Sequence, residues 1–168
     1  MGAWGGFLPF GMLAAAAVAA LAGAATPIGA AVAAADWAVV ERLEMRADQG
    51  RRFQTRTVLA TGETYRLRAE GTFSAWGGPP QGIDAVWCDR PGRCTPPQAW
   101  QQLRIGGKGI NEIRAARGEA PLPYDPGHVY TFELTGAGQA LELHLWDAVE
   151  VNSAAGNTGA ITVTLSAR

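Results

Sequence analysis

The stretch Leu141–Leu165, LELHLWDAVEVNSAAGNTGAITVTL, decides how the chain is read. Leu141, Leu143 and Leu145 alternate with polar residues at its start, and Ile161, Val163 and Leu165 do so at its end. Alternation with period two puts one row of side chains on a buried face, so both ends are predicted strands. Between them lie a carboxylate, Asp147, and two carboxamides, Asn152 and Asn157. Gly156 and Gly159 permit the tight turns that aim backbone carbonyls inward. A strand, an oxygen-rich loop and a second strand can together hold a hard cation at the rim of a sandwich.

The same alternation recurs upstream. Tyr65, Leu67 and Ala69 face one way within Glu63–Phe73, and Tyr130, Phe132 and Leu134 repeat the pattern from His128. Arg56–Ala60, Ile83–Cys88 and Gln101–Ile105 are weaker strand candidates, and Val39–Met45 fits a helix nearly as well as a strand. Gly- and Pro-rich turns punctuate these segments, as in WGGPPQG from Trp76 and IGGKG from Ile105. Glu112–Ala120 is the nearest thing to a helix, and Gly118 and Pro121 end it quickly. The expectation is an all-β, small antiparallel β-sandwich.

Residues 1–35 read as something other than fold. They carry no charge and are rich in Ala and Gly, and all charged residues of the 168-residue chain follow Ala35. An apolar run from Met12 to Ala25, then small residues at Ala33 and Ala35, fits a cleavable signal peptide. Pro27 and Gly29 argue against an uncleaved anchor, so no membrane segment is expected in the mature form. The remainder, residues 36–168, has the size of a single domain. A secreted or periplasmic location follows, and the cysteines agree with it. Cys88 and Cys94 bracket the turn-forming DRPGR and are expected to form a disulfide in an oxidising compartment.

Composition excludes some partners. The net charge is −1, from 14 basic and 15 acidic residues, so no strong field favours nucleic acid or an anionic membrane. No nucleophile elbow, zinc-binding helix motif or phosphate loop is present. His144 sits on the polar face of its strand and His128 begins another, each expected at the surface or hydrogen-bonded. A non-enzyme is expected. Of the six tryptophans, Trp87 is expected to pack in the core, Trp146 to face away from the leucine row, and Trp76 to offer a platform for a sugar ring.

From Asp36 onward the chain resembles the soluble, calcium-dependent galactose-binding lectins of bacteria. Trp37, GETYRLRAEGTFSAWG, PPQGIDAVWCDRPGRC, LRIGG and LELHLWD…NTGAITVTL occur in the order of the family's corresponding segments. The resemblance implies a lectin-like, jelly-roll-like sandwich that binds a galactose-type glycan through calcium. By position, it implies that the metal would be held by the backbone carbonyls of Ala75 and Ser153 and the side chains of Asp147 and Asn157. Asn152 is a further ligand that the loop itself offers. The implied sugar contacts are Gln81, Asp147 and Ser153, and the family's tetramers imply a homo-oligomer. Two places depart from the family: Gly156 stands where a second side-chain ligand is found, and Gly78 where a histidine is found. The alternative is a structural or adhesive sandwich that has lost sugar binding and keeps at most a loop-bracing calcium.

Overall fold

The computed structural model describes residues 36–150 and 154–168. The signal-peptide expectation for residues 1–35, and the ligand roles of Asn152 and Ser153, lie outside the described residues. The strands are β1 (Ala38–Arg46), β2 (Phe53–Leu59), β3 (Thr64–Glu70), β4 (Phe73–Ser74), β5 (Trp87–Cys88), β6 (Gln98–Ala99), β7 (Leu103–Ile105), β8 (Lys108–Gly109), β9 (Val129–Thr135), β10 (Gln139–Leu145) and β11 (Thr158–Ala167). Two short helices, α1 (Ile110–Ala116) and α2 (Trp146–Val149), interrupt them.

The first sheet runs β1-β11-β3-β9, all antiparallel, with β4 added against the start of β11. The second runs β2-β10-β7-β8, and β5 and β6 form a separate pair. The alternating residues explain this register. Leu165 lies opposite Leu67, and Leu67 opposite Phe132, while Val163 aligns with Leu43 and Ala69. The apolar row of each strand therefore continues across its neighbours, and slipping by one residue would turn the whole row to solvent. That row joins Leu59, Leu103, Leu143 and Leu145 of the second sheet in one buried core. The architecture is the expected all-β sandwich.

Three local outcomes go beyond the alternation. Val39–Met45 is a strand, β1, at the edge of the first sheet, where Val39 and Val40 stay exposed. Its Glu41 carboxylate accepts the N–H groups of Arg56 and Thr57 on β2, tying one sheet's edge to the other's. Burial opposes the charge, yet those N–H donors hold the Glu41 carboxyl below its usual range. Ile83–Cys88 is not a continuous strand, because the Asp84 carboxylate takes the N–H groups of Val86 and Trp87 and turns the chain. Only Trp87–Cys88 pairs, while Ile83 keeps isolated bridges to Phe73 and Cys88. The helix α1 begins earlier than expected, at Ile110, because Ile110 is buried and the Glu112 side chain caps the Gly109 N–H.

Candidate functional site

The loop that follows β10 is not irregular at its start. Leu145 passes directly into α2, and Asp147 lies in the first turn of that helix. Trp146, the first residue of α2, is exposed, as expected. Asp147 is buried, and its N–H donates to Oε1 of the fully buried Gln102 at 3.2 Å. The loop returns through a turn in which the Asn157 N–H donates to the Ala154 carbonyl at 3.1 Å. Gly156 takes φ 88 there, a conformation that disfavours any residue with a Cβ.

Asp147 and Asn157 come together. Asn157 is 4% exposed, and its Nδ2 donates to Oδ2 of Asp147 at 3.1 Å. Its Oδ1 is buried without a hydrogen-bond partner. An orphaned buried carbonyl oxygen costs about 1–3 kcal/mol, so Oδ1 is an acceptor with capacity to spare.

The Trp76 loop meets the same corner. Ser74 pairs with Thr158 and Phe73 with Gly159, so extending the register puts Ala75 opposite Asn157. Thr158 Oγ1 donates to the Gly78 carbonyl at 2.6 Å. Glycine is required at 159, where a Cβ would stand 2.5 Å from Pro80 Cβ and from the Thr72 carbonyl oxygen. Of the expected ligands, Asp147 and Asn157 are gathered at one place, and Ala75 follows β4, whose Ser74 pairs with Thr158. Among the described residues no three His, Cys, Asp or Glu side chains are grouped to hold a metal. A cation here would rest on one carboxylate, one carboxamide oxygen and backbone carbonyls, a donor set that suits calcium and no softer ion.

The expected sugar contacts are less concentrated. Gln81 is exposed and lines a separate cleft with Thr72, Gly82, Asp89, Pro91 and His128. Trp76 is half-buried, and its ring is engaged edge-on by Trp100 at 5.4 Å and by the guanidinium groups of Arg90 and Arg93 at 5.1 and 5.4 Å. Trp87 packs against the core, as expected. The disulfide between Cys88 and Cys94 is formed, with Cα atoms 5.6 Å apart.

Both histidines are hydrogen-bonded, one of the two outcomes expected, and His144 is also 1% exposed. Arg52 covers it, bonding Glu142 and Glu150 at 2.6 Å each, and Nε2 of His144 lies 3.2 Å from Glu150. Burial, then the nearby Arg52 charge, push the His144 imidazole below its ordinary value. This group anchors the end of α2 to the second sheet. His128 has a buried partner, Asp84, that alternation could not reveal, since the two are 44 positions apart.

Compared with known family models, curated proteins and solved structures, the chain matches none.

Proposed function

We propose that this chain is a secreted, non-catalytic, lectin-like carbohydrate-binding module whose Asp147–Asn157 corner holds calcium, with a glycan hydroxyl pair completing the ion's shell. The observation that carries this reading is the buried Asn157 Oδ1, which has no partner, beside the Asp147 carboxylate. Calcium takes six to eight oxygens, so it would satisfy that acceptor and leave positions for a ligand's hydroxyls. The disulfide fits an oxidising compartment, and no helix among the described residues is long and apolar enough to cross a membrane. A galactose-type glycan is the partner the sequence resemblance implies, and homo-oligomerisation would add avidity to weak single sites.

A second reading is the structural or adhesive sandwich in which calcium only braces the loop. The arginines and Trp100 around Trp76 favour it, because a ring so engaged has less face to offer a sugar.

Titrating calcium into chelator-treated protein while following Tm tests the shared part. Ion at a hundred times its Kd is expected to add about 2.7 kcal/mol of stability, and Asp147→Asn is expected to remove that gain. An unchanged Tm at millimolar calcium sinks the calcium site. A glycan array with and without chelator then separates the readings: chelator-sensitive glycan binding supports the lectin, and stabilisation without glycan binding supports the scaffold.

A further inference from the structure

The cleft that Gln81 lines shares neither Asp147 nor Asn157 with the corner described above. It has a volume of about 390 Å³ and is lined by Thr72, Gln81, Gly82, Asp89, Pro91 and His128. Its back is an Asp84–His128 pair. Asp84 is 1% exposed, and its Oδ1 accepts the N–H groups of Val86 and Trp87. Its Oδ2 accepts the Tyr130 hydroxyl at 2.7 Å and lies 3.0 Å from Nδ1 of His128.

With Asp84 as acceptor, the neutral imidazole carries its hydrogen on Nδ1 and presents Nε2 as a second acceptor. Asp89 Oδ2 stands 3.9 Å from that Nε2. It already accepts the Tyr124 hydroxyl, and the Cys88–Cys94 disulfide begins at the preceding residue. Two acceptors at this separation are matched by one donor atom about 2.9 Å from each, provided that atom carries two hydrogens. A sugar hydroxyl has one; a primary ammonium has three.

Charge selects the same class. None of the six lining residues is Lys or Arg, and the neighbouring Arg90 turns away to Ser74 Oγ at 2.8 Å and to the Trp76 ring. The Tyr124 phenol is pushed up to about 12, first by its hydrogen bond to Asp89, then by burial and by the charges of Asp89, Asp84 and Asp125. Behind the lining, Tyr124 packs edge-on against both His128 and Trp87 at 6.1 Å, which fixes the imidazole that faces the cleft. A carboxylate beside a neutral acceptor, with no cation in the lining, suits an ammonium group. His128 holds φ 53, an uncommon backbone state for a residue with a side chain, at the position that aims the ring.

We propose that the cleft binds a small primary-ammonium ligand, the ammonium bridging His128 Nε2 and the Asp89 carboxylate, with an unacetylated amino sugar as the carrier. The ammonium site stands without the calcium reading; only the choice of a sugar as carrier rests on it.

The test follows the His128 imidazole ¹⁵N resonances of the full chain while glucosamine, ethanolamine or N-acetylglucosamine is added. Glucosamine and ethanolamine are expected to shift Nε2, and N-acetylglucosamine, which lacks the charge, is expected to leave it in place. Asp89→Asn, which keeps an acceptor for Tyr124, is expected to weaken glucosamine at least tenfold. Equal shifts from the acetylated sugar, or undiminished binding by Asp89→Asn, overturn the proposal. Chelator is expected to change nothing here, so a chelator-sensitive shift also overturns it, whereas loss of the calcium response alone touches only the Asp147 corner.

Discussion

Two buried aspartates keep different company in this molecule. Asp84 is surrounded by donors from within the fold: two backbone N–H groups, a tyrosine hydroxyl and an imidazole. Asp147 is buried beside Asn157, whose Oδ1 has no donor at all. Asp84 completes a network, whereas the corner of Asp147 and Asn157 contains an acceptor left over, Asn157 Oδ1. The difference is what the calcium proposal turns on, because a cation takes up surplus acceptors and a satisfied network gives rigidity.

Removing each carboxylate measures the contrast. Asp84→Ala leaves two backbone donors and two side-chain groups without their acceptor, and is expected to cost about 3–5 kcal/mol of unfolding free energy. Asp147→Ala is expected to abolish the gain in stability that calcium gives, and Asp84→Ala to leave that gain in place. Urea unfolding of both variants with calcium and in chelator decides it. A calcium gain that survives Asp147→Ala removes the basis for calling its corner a site.

This contrast was only half legible in the sequence. Strand alternation at Leu67, Phe132, Leu143 and Val163 reveals the sheets, because burial of one face leaves a period of two in the chain itself. Asp147 and Asn157 were found for a similar reason: one short loop holds both. The Asp84–His128–Asp89 cleft is not visible, since His128 lies some forty positions beyond the segment that holds both aspartates and none of the three has a local signature. The turn at Asp84 was read as strand because Ile83, Ala85 and Val86 are apolar, whereas the side-chain acceptor of Asp84 outcompetes the ladder there. Period two puts His144 on the polar face of its strand, and only the fold shows Arg52 lying over that face and burying it.

A smaller effect sharpens the Asp147 side. Asn157→Asp turns the orphaned carboxamide into a second carboxylate next to Asp147. Without calcium, two like charges at hydrogen-bond distance are expected to lower stability by about 1–2 kcal/mol. With calcium, the added charge is expected to enlarge the Tm gain beyond that of the parent. Calorimetry at both conditions reads the sign of each. If the loss in chelator is not recovered by the ion, Oδ1 of Asn157 is a packing defect and the two aspartates differ in nothing that concerns a ligand.

The smallest effect concerns how the Asp147 corner is held. His144 lies at the end of β10, and with Arg52 it ties Glu150, just past α2, to the second sheet. Its pKa is below the ordinary 6.5, chiefly from burial and then from Arg52. A depressed folded value means that the unfolded chain binds the proton more readily. The stability this group contributes is therefore whole above 6.5 and is lost as pH falls through the folded value. Wild type is expected to lose more stability between pH 6.5 and 5 than His144→Gln does, because glutamine does not titrate. Nothing comparable is expected of the Asp84 network in this comparison, since the substitution leaves it intact. Parallel pH profiles for the two proteins would show that His144 is buried without being coupled to folding, and that the corner is fastened by the Arg52 ion pairs alone.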